Sequence, residues 1–568
     1  MKIATAKHQW QVAEFDRGRV QILARALGIA PILAHLLILR GIEEPDLARK
    51  YVTPRLEDLS SPFELTDMDV AVARLTQARD RGEHVLVFGD YDVDGVSATA
   101  ILHHGLRRFG IERVSHGMPL RLIEGYGLNA ERVEAAKSDG VHLIVTVDNG
   151  IAAHDAADRA RELGVDLIVT DHHAIEGELP HALAVINPQR EPESYPGRFL
   201  CGAGVAFKLA AALNGTPNDL DIAALGTVAD IVPLKGENRV IVALGLRHMS
   251  KYARTGLAAL AQAAGVDIRT ISSGNIGFQL GPRINAAGRL DDALTALHLL
   301  LTDCPDRARA MSALLNAANE ERRSIEREIF EQAREELDAF FAAEQRSIVV
   351  AREDWHAGVI GIVAARIQTR YQRPVVVIAI DENGEGKGSA RSGPGFNMVE
   401  AFSACQDLLD KYGGHRAAAG LTIRRDRIES FRQRFEEEAL RQLGAGEILV
   451  DLPIDVLASF SDIDLALVKS LVLLEPFGHG NPSPVFCSVN VEVAPRSLRV
   501  LKDHHLKMQL CQQDKAFDAI GFNMAERYFS EDLQGPIDIV YTPQLNEWRG
   551  QVSVQLLLKD IRPAQPGR

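Results

Sequence analysis

The sequence predicts an α/β protein of several domains: a parallel-sheet domain, a smaller α/β domain reached through a long helix, and a small β-barrel at the C-terminal end. Three observations predict it. From 84 to about 232, short apolar runs alternate with helical stretches, the pattern of parallel βαβ units. From 304 to about 345, apolar residues recur every four positions among many Glu and Arg, the mark of a long amphipathic helix. After about 450, apolar and polar residues alternate in short runs broken by turn residues.

Residues 1–75 read as a helical lead-in, broken by Pro54, Pro62 and the acidic Glu57-Asp58. Within 76–303 the apolar runs 84–88, 141–147, 166–170 and 182–186 are predicted strands, with a helix over 152–163. Parallel sheets bind ligands at the carboxyl ends of their strands. Asp90, Asp148 and Asp171 each follow such a run directly, so the fold brings them to one rim. In 304–345, Ile325, Ile329, Ala333, Leu337 and Phe341 define the apolar stripe. A continuous helix of ~40 residues spans ~60 Å, enough to connect two lobes; the period of four favours that over a coiled-coil dimer. In 346–445, strands are expected over 347–350 and 374–380 and a helix over 359–369, with glycines clustered at 384–395, 413–414 and 420. In 446–568, the alternations Val489/Val491/Val493, Leu506/Met508/Leu510 and Val552/Val554/Leu556 predict about five short strands. An OB-like barrel is the expectation, since that fold serves single nucleic-acid strands.

Length and composition set the outer limits. A chain of 568 residues exceeds one core, and 46% apolar with 25% charged residues is the balance of an ordinary soluble protein. No run of 18 apolar residues occurs and the first residues lack the apolar core of a signal peptide, so no membrane span is expected and the cytoplasm is the default. The five cysteines are scattered without zinc or redox spacing, which argues against disulfides and structural zinc. A net charge of −14 excludes a generally basic polyanion binder, but not a local basic groove.

The chemistry is carried by aspartates. Asp90, Asp92 and Asp94 stand two apart, followed by Gly95 and the small residues of a helix start. Like charges this close do not all stay ionised without a cation. A solvated N-cap cluster is the bland reading of one Asp-x-Asp; three after a strand, joined by Asp148, His172 and Asp230, supply ligands for two hexacoordinate cations. Oxygen-rich sets with an imidazole suit Mn or Mg rather than zinc. His172 is assigned to metal as a neutral imidazole, His173 to the phosphate, and Asp171 to orienting an imidazole from behind. Asp230 sits in an apolar segment, where a carboxylate needs a partner; a metal explains it better than a buried salt bridge. Arg121 and Arg391 suit bidentate phosphate contacts, the latter with Ser389 beside it. Tyr126 offers a stacking face, with ordinary packing equally open. Arg289 can meet a phosphate or pair with Asp291 or Asp292. His415 follows two glycines. The phosphate-loop spacing is absent near 384–389, so an NTPase reading is weak.

Taken in order, the segments 89–95, 121–127, 147–150, 171–173, 226–233, 281–289, 355–361, 388–392 and 413–415 resemble the motifs of the DHH phosphoesterase superfamily and its companion DHHA1 domain, in particular its bacterial single-strand-specific exonucleases. The resemblance covers most of the chain. One departure stands out: where many members carry a histidine four residues before the Asp-x-Asp pair, this chain has Phe88. Asp90 either supplies the missing ligand or acts from behind Asp92 and Asp94. The resemblance implies a 5′→3′ exonuclease that degrades single-stranded DNA to 5′ mononucleotides in recombination and repair. It implies that Arg121, Ser389 and Arg391 read the terminal 5′ phosphate, with His415 in a substrate-binding segment. It also implies work beside a RecQ-type helicase and single-strand-binding protein; a monomer is expected. Two cations sharing Asp148, with His173 and Arg289 against the developing charge, would carry the hydrolysis. The alternatives are a phosphodiesterase of short oligonucleotides, disfavoured by the extra barrel, and a non-catalytic DNA-binding scaffold, disfavoured by the intact aspartates.

Overall fold

The computed structural model describes residues 7–119, 127–290, 293–340, 344–446, 449–502, 504–530, 533, 535–548 and 550–564. They form two compact units. One comprises Trp10–Asn285, Ala293–Ala313 and Leu452–Arg568; the other comprises Met1–Gln9, Ala286–Asp292 and Leu314–Asp451.

In the first unit, five parallel strands lie in the order Val114–Gly117, Val85–Phe88, Leu143–Val147, Asp166–Thr170, Ala184–Ile186. The expected runs are strands because both faces are covered: every residue of Leu143–Val147 is buried. The edge strand Val114–Gly117 was not expected. Its half-buried Val-Ser-His-Gly sequence carries no apolar run. It also sets the topology. Chain order reverses beside Val85–Phe88, so a crevice opens at the carboxyl ends of Val85–Phe88 and Leu143–Val147, where such sheets bind ligands.

A buried ion pair ties the lead-in to this domain. Lys208 Nζ lies 2.5 Å from Glu237 Oε2, and both residues are 1% exposed. Ser60 donates to Glu237 Oε1 from its amide at 3.1 Å and its hydroxyl at 2.5 Å. On another face, His103, His104, His116 and His298 cluster, with the His116 and His298 Nε2 atoms 3.3 Å apart. Burial, then the neighbouring His116, His104 and Arg107, push His103 down to about 4 from 6.5. An unfolded histidine protonates first in that window. Stability therefore falls as pH drops from about 6.5 to about 4. His103→Phe is expected to flatten part of that fall in thermal melts; an unchanged slope would assign it to other groups.

The barrel is closed by five strands: Phe486–Val493, Ile537–Trp548, Gln551–Pro563, Lys515–Gly521 and His505–Gln512, which returns to the first through Glu492↔Cys511 and Val493↔Leu510. Two are not short, at 12 and 13 residues, because they form one extended hairpin. The helices Arg17–Leu27 and Pro31–Leu39 are not a detached lead-in. Val20, Leu23, Leu33, Leu36 and Leu37 share one core with barrel residues Phe460, Leu506 and Ile561. This explains why the bent helix pair is apolar enough to pass for a membrane span; no single described helix is long and apolar enough to cross a membrane. The start of the chain also holds an unexpected strand, Lys7–Val12, paired with Leu449–Ile454. Arg239 fastens the first domain to the barrel side: it donates to the Tyr51, Leu473, Leu474 and Glu475 carbonyls and covers the Tyr51 ring at 3.5 Å.

The second unit holds a five-stranded sheet in the order Lys411–His415, Ala418–Arg424, Glu385–Arg391, Val375–Ile380, Ile348–Glu353. Only the last pair is parallel. The expected helix is Ile360–Tyr371. The long helix runs 36 residues, Pro305–Phe340, and its stripe Ile329, Ala333 and Leu337 is buried against Val350 and Val363. Phe341 lies outside the described residues.

Candidate metal centre

The carboxyl-end crevice collects the predicted aspartates. After Val85–Phe88 the chain turns into the helix Val93–Phe109, and Asp92 caps it, its Oδ1 accepting from the Asp94 and Gly95 amides at 2.9 and 3.1 Å. Asp92 is thus both an N-cap and a carboxylate facing the crevice. Asp94 is held differently. Its oxygens accept from the amides of Gly202 at 2.6 Å and Ala203 at 2.9 Å, the first residues of the helix Gly202–Asn214, whose N-terminal partial charge favours an anion. Asp148 follows its strand with φ of 62°, a left-handed conformation uncommon outside glycine. Asn149 locks that turn, donating to the Phe88 and Val147 carbonyls and accepting from the Leu128 amide.

Three sets of side chains bring ligand atoms within 4.8 Å of one another: Asp90, Asp92 and Asp148; Asp94, His172 and Asp230; Asp148, His172 and His173. Asp148 and His172 each belong to two sets. The His172 Nε2 atom lies 3.1 Å from Asp148 Oδ1, 3.7 Å from Asp230 Oδ2 and 3.8 Å from Asp94 Oδ2. It is buried and makes no well-formed hydrogen bond among the described residues. A ring nitrogen ringed by carboxylates but bonded to none is the geometry of ligands arranged around an ion.

Asp171 stands behind this set. Its Oδ2 accepts from the Ile151 amide at 2.9 Å, while Oδ1 accepts from the His172 amide at 2.7 Å and lies 2.7 Å from His173 Nδ1. It orients His173 from below and leaves Nε2 for the crevice.

The electrostatics agree. Burial, then Asp94, Asp92, Asp171 and Asp230, hold the Asp148 carboxyl well above its usual range. Burial with Asp94 and Asp92 lifts Asp230 to about 9, and burial with Asp94 raises Asp92. Burial, against the pull of Asp94, lowers the His172 pKa, which favours the neutral form that binds metal. Burial works against a charge on His173, but its bond to Asp171 and the nearby Asp230 and Asp94 outweigh it and lift it to about 9. Burial also opposes the Asp171 charge, yet the His173 bond and charge and the Ile151 amide keep that carboxyl below its ordinary value. Protein alone leaves these carboxylates in mutual repulsion; divalent cations among them remove it. Many oxygens and one or two imidazoles fit Mn or Mg.

Sequence reasoning did not assign Gly202 or Gly226. A Cβ on Gly202 would lie 2.4 Å from Asp148 Cβ, and one on Gly226 would lie 2.7 Å from Asp94 Oδ1. The small-residue run Cys201-Gly202-Ala203-Gly204 was the available signal. Asn285 was also missed; its Oδ1 accepts from the Val93 amide at 3.1 Å.

The remaining predicted residues fall elsewhere. Arg121 and Tyr126 lie outside the described residues, as do Asp291, Asp292 and the side chain of Arg289. In the second unit, Arg391 Nη1 donates to Ser389 Oγ at 3.2 Å and to the Ala390 carbonyl at 2.7 Å. A Cβ on Gly361, in the first turn of Ile360–Tyr371, would lie 3.0 Å from Ser389 Oγ and 3.3 Å from Arg391 Nη2. Burial lowers the Arg391 pKa. No ion pair engages Arg391 among the described residues. His415 is exposed and shares a register row with Arg391 through Ala418.

Comparison with known proteins agrees with this architecture. Residues 84–229 match the DHH family N-terminal domain, 345–440 the DHHA1 domain and 454–560 the RecJ OB domain. The chain is 37% identical over 558 residues to the single-stranded-DNA-specific exonuclease RecJ of Bacillus subtilis, covering 98% of this chain and 71% of that protein. It is 34% identical to the Escherichia coli protein of the same name, covering 94% and 96%. The crystal structure of RecJ in complex with Mn2+ from Thermus thermophilus superposes with a TM-score of 0.83 at 32% identity, covering 98% of this chain and 80% of that one. The chain belongs to the DHH family, in its RecJ branch.

Proposed function

We propose that this chain is a metal-dependent exonuclease that degrades single-stranded DNA from the 5′ end to 5′ mononucleotides. The observation that carries the proposal is the convergence of Asp90, Asp92, Asp94, Asp148, His172 and Asp230 in one crevice, on a chain related to single-stranded-DNA-specific exonucleases. Those six residues would hold two divalent cations, Mn or Mg, with Asp148 as the ligand common to both. When bound, the cations supply an activated water and positive charge for the phosphate. The residues do the rest. Asp171 fixes the His173 ring, and protonated His173 donates to a phosphate oxygen as negative charge gathers there. Arg289 is assigned to the same phosphate. Ser389 and Arg391 take the terminal 5′ phosphate, supported by a half-buried guanidinium with no carboxylate partner among the described residues. Arg121 is assigned to the same phosphate, Tyr126 to a base and His415 to the substrate-binding segment of the second unit.

The barrel holds the trailing strand. In the cell the protein works as a cytoplasmic monomer in recombination and repair, beside a RecQ-type helicase and single-strand-binding protein. The test is digestion of one single-stranded DNA, labelled at its 5′ or its 3′ end, with Mn and with chelator. Early metal-dependent release of labelled mononucleotide from the 5′ end is the expected result. Early release from the 3′ end would overturn the roles given to Arg121, Ser389 and Arg391.

A further inference from the structure

Phe278 is the most exposed large hydrophobic residue among those described, with 85% of its surface open. It is carried by a single π-helical turn, Ile276–Leu280, a local widening that recurs at functional sites. The turn is anchored from below, since Ile276 and Leu280 are fully buried. A Cβ on Gly277 would lie 3.9 Å from Val228, and one on Gly281 would lie 3.7 Å from Ala229 and 3.9 Å from Val93. Val228 and Ala229 run directly into Asp230, and Val93 stands between Asp92 and Asp94. The turn that carries the exposed ring therefore lies against the segments that carry candidate metal ligands. Next to Asp230, Ile231 is likewise exposed, at 69%, and held at φ of 60°.

Phe278 borders a cavity of about 750 Å³ that also meets Arg247, Arg269, Ser272, Phe477 and Gln544. Arg269 is neutralised by a two-point bond to Asp267. Arg247 is exposed and has no ion pair among the described residues. The one carboxylate on the lining, Glu475, lies under the charge of Arg239. An exposed aromatic face beside an uncompensated guanidinium, on a turn that packs against the segments bearing Asp230, Asp92 and Asp94, matches a base and its phosphate.

We propose that Phe278 is a stacking platform for a base of the strand trailing the scissile phosphate, with Arg247 on an adjacent phosphate. The proposal rests on the function given above. Base–aromatic stacking predicts that Phe278→Ala raises KM for a 20-mer about tenfold, with kcat within about twofold. Phe278→Trp should restore KM. The dinucleotide pTpT, which has no trailing strand, should show no change. The substitution is at an exposed side chain, so both variants should match the parent in thermal melts. An unchanged 20-mer KM overturns the proposal and leaves the patch to a protein partner. An equal rise for 20-mer and dinucleotide overturns it too, since the defect is then in the metal centre. If the parent enzyme fails to digest the 20-mer at all, the exonuclease reading fails, and this inference with it.

Discussion

Asp148→Ala should abolish hydrolysis, by about 10³-fold or more, a loss at the upper end for one preorganised electrostatic group in an active site. The expectation is this large because Asp148 belongs to two of the three ligand sets. Its removal takes an oxygen from two of those sets and leaves Asp94 and Asp230 as the carboxylates beside His172. Folding should survive. The carboxylate is buried among Asp94, Asp92, Asp171 and Asp230, and without metal its charge opposes the native state. Asp148→Asn should therefore melt no lower than the parent in chelator, yet lose most of the stabilisation that Mn gives the parent. Turnover of single-stranded DNA, paired with melts with and without Mn, tests both halves. A variant that keeps a tenth of parental activity would remove Asp148 from the shared position.

Glu237→Ala should be the most damaging change away from the crevice, costing about 3–5 kcal/mol, the usual penalty for leaving one member of a buried ion pair alone. Lys208 would then be buried with only the Ser60 hydroxyl and carbonyl as acceptors, and the Ser60 amide and hydroxyl would lose their shared oxygen. Replacing both members, Lys208→Met with Glu237→Leu, should cost clearly less than Glu237→Ala alone, because no charge is stranded. A double-mutant cycle by denaturant unfolding reads the coupling. Additive costs would mean that the two groups act independently despite their 2.5 Å separation.

Much of this was legible in the residues. The strands Val85–Phe88, Leu143–Val147 and Asp166–Thr170 announce themselves because a parallel sheet covered on both faces demands unbroken apolar runs. The aspartates could be placed on one rim without coordinates, since parallel strands present all their carboxyl ends together. What escaped depends on contacts distant in sequence or on backbone geometry. Ser115 and His116 disguise an edge strand that needs only half its surface buried. The small-residue run around Gly202 hints at close packing but not at its partner; its role is set by how closely Asp148 approaches it. Asp94 bound to a helix N-terminus more than a hundred residues away was equally invisible. Phe278 was assigned no role from the sequence, and its exposure on a π turn is a matter of backbone geometry. Phe88, the departure from the superfamily pattern, is buried, and Asp90 lies with Asp92 and Asp148 in one ligand set.

The shared core of the N-terminal helices and the barrel has a consequence for how this chain is born. Leu33, Leu36 and Leu37 leave the ribosome more than 400 residues before Leu506 and Ile561, which share their core. Tyr51 waits 430 residues for Asn481, which at about 5–20 residues per second is roughly 20–90 s of synthesis. For that interval the nascent chain displays a greasy helical hairpin with nothing to bury it against. It is a natural client for ribosome-associated holding factors. Any message cut short before the barrel leaves that hairpin permanently bare, marking the fragment for proteolysis.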